Sequence, residues 1–444
     1  MSGADTIFAL STARGRAAIA VIRISGPRAG AALAALAPRG RPQPRVAKLA
    51  KLIDPRTGEA IDDALALWFP APRSETGEDV VELQVHGGRA VVAGVLEALA
   101  GVPGLRPAEP GEFTRRAFLN GKLDLTAAEG LLDLIDAETA AQRRQALRQM
   151  EGELAALYED WRARLVRALA HLEAEIDFAD EDLPRNIGDP ALADLATLRR
   201  AIAAHLDDRR RGEVLREGLS VAILGAPNAG KSSLMNALTR RETAIVSSIA
   251  GTTRDIVEAR LDLGGYPILL ADTAGLRDVT AAGDPVEREG VRRALARAEQ
   301  ADLRLLVVPA GTDPDAATAA LIGPDSILVA SKADLVGDRD AKRPSHALAV
   351  STKTGFGLDA LRRRLLAEAE TRMGNDGGPA VTRARHRSAL SECIASLERA
   401  AVAPTAELRA EDVRLAARAL GRITGRIDVE DLLDVIFKEF CIGK

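Results

Sequence analysis

The chain has almost nothing from which to build a disulfide framework. Among 444 residues only Cys393 and Cys441 are cysteines, with no C-x-x-C pair and no Cys/His spacing suited to zinc. A cross-linked secreted scaffold is excluded, and a reducing cytosol is the expected compartment. No apolar run approaches the ~20 residues that cross a bilayer, and no basic stretch followed by an apolar core and a cleavage site opens the sequence. A soluble, cytoplasmic protein is therefore expected. The final Cys441-Ile442-Gly443-Lys444 has the outline of a prenylation box, but glycine at an aliphatic position and a terminal lysine fit neither farnesyl nor geranylgeranyl specificity. Net charge is also small, −4 from 60 basic and 64 acidic residues. A nucleic-acid surface must then be a local patch rather than a global field. There is no internal repeat.

What is present is a folded chain of several domains. It is 47% hydrophobic, and its length exceeds the size at which one core keeps growing, so two or three domains are expected. Residues 1–122 mix strand-like runs (Ala17 to Ile24, Ala64 to Phe69, Val80 to Val85) with one helical stretch, Ala90 to Leu99, predicting a small α+β domain. From Leu123 to about Arg216, alanine-, leucine- and arginine-rich segments carry apolar residues at three- and four-residue spacing, which predicts helices. Residues 217–375 read as an α/β region. Helical texture returns over 376–444, at Arg383 to Ala400, Ala410 to Ile423 and Val429 to Phe440. Helices on either side of the α/β region, each too amphipathic to stand alone, would bury their apolar faces against one another as one bundle. The expected fold class is multidomain α/β plus all-α, with an N-terminal α+β domain, a helical bundle and an inserted Ras-like doubly wound domain. Basic clusters at Arg143-Arg144, Arg148, Arg209-Arg210-Arg211 and Arg383 to Arg387 can grip phosphates or form solvated helix faces.

Chemistry concentrates in the α/β region. Residues 225–232 read Gly-Ala-Pro-Asn-Ala-Gly-Lys-Ser, between the apolar run Leu219 to Leu224 and a helix-like segment from Lys231 to Leu238. A strand feeding a glycine loop that opens a helix aims backbone N–H groups and the helix's positive end at one spot, where Lys231 adds a full charge. The pattern alone fixes few positions, so context decides. Gly251-Thr252-Thr253-Arg254-Asp255 follows; then Asp272-Thr273-Ala274-Gly275 behind Ile268 to Ala271; then Ser331-Lys332-Ala333-Asp334 behind Ile327 to Ala330. In a doubly wound sheet such loops converge on one crevice.

Each element has a chemical reason. Ser232 and Thr253 offer oxygens to Mg²⁺, and Asp272 holds the metal through water or orders the loop behind it. A carboxylate at Asp334 accepts two parallel hydrogen bonds from the N1–H and 2-amino group of guanine, which adenine cannot supply, so GTP is expected over ATP. Ras-like GTPases orient the attacking water with a glutamine after the third motif's glycine. Here that position is Leu276, so the catalytic group must be Arg254, Arg277, Glu287, a partner's arginine or a bound cation.

Stretches outside the α/β region carry a family resemblance. Val21-Ile22-Arg23-Ile24-Ser25-Gly26, Thr76 to Gln84, Arg115 to Leu125 and the end Phe440-Cys441-Ile442-Gly443-Lys444 resemble the MnmE (TrmE) family of tRNA-modification GTPases over essentially the whole chain. The resemblance implies a homodimer joined through folate-binding N-terminal domains (1–122), a helical domain in two parts (123–216 and 376–444), and an inserted G domain (217–375). It implies a GTP hydrolase working with the flavoprotein MnmG, as a heterotetramer or larger, on carbon 5 of the tRNA wobble uridine. The one-carbon donor would be a 5-formyl- or methylene-tetrahydrofolate, with FAD and NADH on the partner and neither DNA nor membrane involved.

Carried onto this sequence, the resemblance extends the GTP/GDP contacts to Asn228, Ala229, Gly230, Lys231, Ser232 and Ser233, to Ser247, Ser248, Ile249, Ala250, Gly251, Thr252 and Thr253, and to Ser351, Thr352 and Lys353 beside the two later motifs. K⁺ ligands would be Asn228, Ser247, Ile249 and Thr252, supplying positive charge where other systems insert an arginine. Glu287 would be the water-orienting catalytic carboxylate, although the segment Asp278 to Val286 is longer than the family's and places Asp284 and Glu289 nearby. Ser331 stands where the guanine motif usually has asparagine, and its shorter side chain offers fewer hydrogen bonds. Arg23, Glu82, Lys122 and Lys444 would bind folate, whose acidic tail suits basic groups and whose pterin edge suits a carboxylate. Cys441 reads as a packed thiol or as a participant in that site, and His86 as structural. The competing reading is a switch-type ribosome-assembly or RNA-binding GTPase; a scaffold with a vestigial site is disfavoured by Lys231, Ser232, Thr253 and Asp272.

Overall fold

The computed structural model describes residues 5–39, 42–177, 188–241, 243–245, 258–272, 301–336, 346–374, 378–427 and 430–443. The chain divides into two compact units. One comprises Met1–Leu132, Gln149–Ala163 and Ala417–Lys444; the other comprises Asp133–Arg148 and Arg164–Ala416.

The first unit is built on a six-stranded sheet. Strands β1 (Thr6–Leu10), β2 (Ile19–Ser25), β3 (Lys48–Ile53), β4 (Ala60–Phe69), β5 (Val80–His86) and β6 (Leu105–Pro107) lie in the order β3-β4-β5-β2-β1-β6. Pairing is antiparallel except for β1 with β6. Side chains alternate between faces along a strand. Ala20, Ile22 and Ile24 of β2 accordingly join Leu83 and Val85 of β5 in a core closed by Leu33 and Leu36 of α1 (Ala29–Leu36) and Val95 and Leu99 of α2 (Arg89–Ala100). Each buried Ile, Leu or Val side chain among them contributes ~1.5–3 kcal/mol. Beyond the sheet come α3 (Glu112–Leu119) and α4 (Leu125–Asp136). Leu125, Ala128 and Leu132 pack with Leu433, Ile436, Phe437 and Phe440 from the helix Glu430–Lys438 and the turn after it.

The sequence predicts one helix in this region, and the structure adds α1 and α3. Both are eight residues long, and α1 lies between Pro27 and Pro38 with Gly30 inside. Two turns give too few repeats for a 3.6-residue period to register.

The second unit holds a seven-stranded sheet. Its strands are β7 (Leu219–Leu224), β8 (Thr243–Ile245), β9 (Glu258–Leu263), β10 (Tyr266–Asp272), β11 (Leu303–Pro309), β12 (Ser326–Ser331) and β13 (Leu348–Ala349), in the order β13-β12-β11-β7-β10-β9-β8. All neighbours run parallel except β9 with β10 and with β8. The largely apolar stretches of β7 and β11, interrupted only by Ser220 and Arg304, suit strands covered on both faces: Leu219, Val221 and Ile223 are completely buried, as are Leu303, Leu305 and Val307. From β7 the chain crosses to the far edge at β8, comes back inward through β9 to β10 beside β7, and then places β11 on the other side. The strand order thus reverses at β7, and the crevice at its carboxyl end is where such sheets bind ligands.

Helices α5 (Ala140–Met150), α6 (Glu153–Asp177), α7 (Gly188–Leu206) and α8 (Arg211–Glu217) precede β7, and the helices Ala384–Val402 and Ala406–Thr424 follow the sheet. Helix α7 packs on Ala384–Val402, with an Arg199–Glu398 ion pair of 3.0 Å. Segments from both sides of the G region therefore share one helical layer, and the fold class is the one the pattern implies.

Helix α5 and the turn before it also hold the β9–β10 hairpin. The Ala141 amide donates to Gly265 O at 3.0 Å, and Arg260 pairs with Glu138 at 3.1 Å.

Candidate functional site

The glycine loop leaves β7 and opens α9 (Lys231–Arg241). Gly225 has φ 149°, and a Cβ there would lie 2.2 Å from Val307 O on β11. Only glycine lets the loop leave the sheet flush against its neighbour. Asn228 and Gly230 are also left-handed, at φ 60° and 95°. Lys231 is buried, and its Nζ donates to Gly225 O at 3.0 Å and Ala226 O at 2.9 Å. The ammonium therefore sits inside the loop. Ala229 is buried, while Ser232 and Ser233 are exposed in the first turn of α9, whose free amides favour anions.

The guanine motif is tied to this loop twice. Ser331, at the end of β12 and 5% exposed, donates from Oγ to Ala229 O at 2.5 Å, with Val308 O at 3.3 Å. Lys332, left-handed at φ 55°, donates from Nζ to Asn228 O at 2.7 Å. The sequence marks Ser331 as a weakened position; in the structure its short hydroxyl reaches the loop carbonyl directly. Asp334 lies on a turn of 3₁₀-helix, Ala333–Leu335, with its carboxylate exposed. It accepts 2.6 Å from the hydroxyl of Ser351, itself fully buried. That hydrogen bond holds the Asp334 carboxyl below the usual carboxylate range, with the nearby Lys353 adding to the effect. The Ala333 amide donates to Val350 O at 3.1 Å, keeping the motif beside the loop of Ser351, Thr352 and Lys353.

Asp272 ends β10 in register with Ile223 of β7, so its backbone stands beside the glycine loop's origin. The other predicted phosphate and metal contacts, Ser247, Ser248, Ile249, Ala250, Gly251, Thr252, Thr253, Thr273, Ala274 and Gly275, lie outside the described residues, as do Leu276, Glu287 and Lys444. Of the expected metal ligands, Asn228 on the loop and Ser232 in the first turn of α9 are described, and both are exposed. A loop that excludes a Cβ at Gly225 and encloses an ammonium fits a polyphosphate with its cation.

In the first unit three of the expected folate contacts gather around residues 74–79. Arg23 and Glu82 are cross-strand partners on β2 and β5, joined at 2.9 and 3.1 Å. Arg23 also pairs with Glu75 at 2.5 Å and lies 5.8 Å from the Phe113 ring centre. Its charge is thus compensated by two carboxylates. Lys122 is exposed, and its Cε would lie 3.3 Å from a Cβ on Gly77; Asn120 donates to Thr76 O at 2.7 Å. Cys441 is exposed and lines, with Ile442, a largely apolar cavity of about 1080 Å³ between the β1 region and α2. Cys393 is buried, which pushes its thiol up to about 12. His86 accepts or donates at 2.8 Å with Asp62 on the surface, a structural contact.

Sequence reasoning missed the buried ion cluster beside this region. Arg116, 4% exposed, reaches Glu112 at 2.9 Å, Glu78 at 3.1 Å and Asp5 at 2.8 Å, and Arg106 reaches Glu112 at 2.6 Å. The only local signal was the four-residue spacing of Glu112 and Arg116.

The chain was compared with known proteins. A family model described as the GTP-binding protein TrmE N-terminus matches residues 6–122, and one described as the MnmE helical domain matches residues 125–441. A protein of Parvibaculum lavamentivorans named tRNA modification GTPase MnmE is 60% identical over 99% of this chain and 100% of the relative. Proteins of the same name are 59% identical in Rhodospirillum rubrum, over 99% of both chains, and 56% identical in Paramagnetospirillum magneticum, over 99% of this chain and 100% of the relative. Likeness that runs through the N-terminal sheet and the helices, well beyond the glycine loop, means that this chain belongs to the MnmE family.

Proposed function

We propose that this protein is a potassium-activated GTPase of tRNA modification, working with a flavoprotein of the MnmG kind on carbon 5 of the wobble uridine. The observation that carries the reading is the double tie between guanine motif and phosphate loop, Ser331 to Ala229 O and Lys332 to Asn228 O. It joins base recognition to phosphate binding in one rigid piece. Membership of a family whose named relatives are tRNA-modification GTPases supplies the substrate class. The switch-type alternative is less favoured, because the likeness extends through residues 6–122.

In this reading Asp334 accepts the guanine N1–H and 2-amino group, its carboxylate kept ionised and oriented by Ser351. Lys231 shifts from the loop carbonyls onto the β and γ phosphates, exchanging two neutral acceptors for charged ones. Ser232 and Thr253 hold magnesium, and Asn228, Ser247, Ile249 and Thr252 hold potassium between paired G domains. Bound cations would supply positive charge to the phosphate oxygens where other systems insert an arginine. Glu287 orients the water. Arg23, Glu82, Lys122 and Lys444 receive the folate, within a domain division at about residues 122, 216 and 375. The working form is a cytoplasmic homodimer that engages the partner flavoprotein, which brings FAD and NADH.

Hydrolysis measured in potassium and in sodium at equal ionic strength tests the mechanism, with faster turnover expected only in potassium. Equal rates would remove the cation from the mechanism. Nucleoside mass spectrometry of tRNA from cells lacking the protein tests the substrate: the wobble side chain should vanish.

A further inference from the structure

Several of the arginines that the sequence marks as clusters are neutralised within the fold. Arg383 pairs with Asp133 at 2.7 Å, and Arg387 with Asp208 at 2.8 Å and Glu213 at 3.2 Å, so the cluster over 383–387 is largely consumed within the fold. Arg210 likewise pairs with Glu213 at 2.6 Å and Arg216 with Glu217 at 2.5 Å. Arg143, Arg144, Arg209 and Arg211 differ: among the described residues none of them has a carboxylate partner. Arg143, Arg144 and Arg209 are exposed.

Arg144 and Arg211 stand at one cleft, with Arg143 and Arg209 close to them along the chain. Gln142 Nε2 donates to Arg216 O at 2.9 Å and Gln145 Nε2 to Gly212 O at 3.1 Å, so α5 lies along α8 in the opposite sense. The later turns of α5 are thereby nearest the 209–211 segment. Between the helices lies a cleft of about 380 Å³ with an apolar floor that includes Leu147, Leu215 and Tyr266, and with Arg144 and Arg148 at its edge. Gly374 closes it, and Arg211 Nη1 stands 3.7 Å from where a Cβ on Gly374 would be. Arg209 and Arg210 are consecutive non-glycine residues in the left-handed region, φ 51° and 60°, held by an Arg210 amide bond of 2.9 Å to Asp208 Oδ1. Each costs about 1 kcal/mol or more, a strain that recurs at functional sites. The cleft opens beside Tyr266 at the start of β10, whereas the nucleotide crevice lies past Asp272 at its end, ~20 Å away at about 3.3 Å per residue.

We propose that this cleft and its arginines are the contact surface for the phosphate backbone of the RNA substrate. The proposal rests on the reading that tRNA is the substrate class, and it adds the place of contact. The guanidiniums of Arg143, Arg144, Arg209 and Arg211, on a chain of net charge −4, supply the local patch that a polyanion needs, since binding is driven by counterion release at each neutralised phosphate. An acidic protein would meet the same charge, but the relatives' named substrate is RNA.

The test is tRNA binding by the full-length protein across a salt series, for Arg143→Gln/Arg144→Gln, for Arg211→Gln and for the lysine versions of each. The exposed Arg363 on the helix Leu358–Met373, changed to Gln, is the control. The glutamine double variant should weaken binding roughly tenfold and reduce the log–log salt slope by about 1.4–1.8, ~0.7–0.9 per lost phosphate contact. Lysine should restore the slope, and GTP hydrolysis without tRNA should stay at the wild-type rate. Variants that bind as wild type, or an equal loss at Arg363, overturn the proposal while leaving the substrate reading intact. Unchanged tRNA affinity with lost flavoprotein capture assigns the patch to a protein and also overturns it. Wild-type protein that binds no tRNA sinks both.

Discussion

Ser331 offers the sharpest single-residue experiment. Its hydroxyl has one proton to give, and the 2.5 Å contact with Ala229 O outcompetes the 3.3 Å contact with Val308 O. Ser331→Ala removes that donor with almost no change in volume, so the effect isolates the tie. A net hydrogen bond is worth ~0.5–1.5 kcal/mol, and a buried carbonyl left without a partner costs about 1–3 kcal/mol. Ala229 is fully buried, and the upper half of that range applies unless water reaches its carbonyl. A loss of about 2–3 kcal/mol in the nucleotide-competent loop translates to roughly 30- to 150-fold weaker binding. Titration of a fluorescent guanine nucleotide should show this for Ser331→Ala, with Ser331→Asn near wild type because an amide restores the donor. Preference for GTP over ATP should persist in both, since Asp334 is untouched. Wild-type affinity in Ser331→Ala, or equal binding of GTP and ATP, would refute the reasoning.

Other outcomes follow from geometry. Gly225→Ala forces a side chain onto Val307 O at a φ that L-residues avoid, and should cost at least about 2 kcal/mol in thermal unfolding and abolish nucleotide binding; a folded, binding variant would show that the loop has slack. Ser351→Ala frees the Asp334 carboxyl to return toward its ordinary pKa, so the acid limb of GTP affinity should move to higher pH, and an unmoved limb would remove Ser351 from the site. In the first unit, burial pushes the Glu112 carboxyl up, but hydrogen bonds from Arg106, the Glu109 amide and Arg116 outweigh it and hold it below its ordinary value. Its folded pKa is thus depressed, so its stabilisation is present above about pH 4.3 and is lost as pH falls through the folded value. Arg116→Met should lower stability by about 3–5 kcal/mol by leaving carboxylates uncompensated, and an unchanged melting temperature would mean that the cluster contributes nothing.

How much of this was legible in the chain depends on the range of the interactions. The glycine loop, the apolar run of β7 and the strand before Asp272 are local patterns, and the structure places them where the pattern implies. Ser331 looked like a deficit because a side chain can be judged from sequence only by its own donors, and the carbonyl it reaches is 102 residues away. The arginine clusters were indistinguishable for the same reason. What separates Arg383 from Arg144 is Asp133, an acid 250 residues from Arg383. Helices α1 and α3 were too short to announce a period.

The hairpin grip on β10 constrains what happens at the far end of the sheet. Extended backbone has little slack at ~3.3 Å per residue, and β10 is laced to β7 on one side and β9 on the other. It acts as a tie rod between Asp272 and Gly265. A displacement of Asp272 along the strand would therefore be delivered, undamped by any loop, to Gly265 and so to Ala141 at the start of α5.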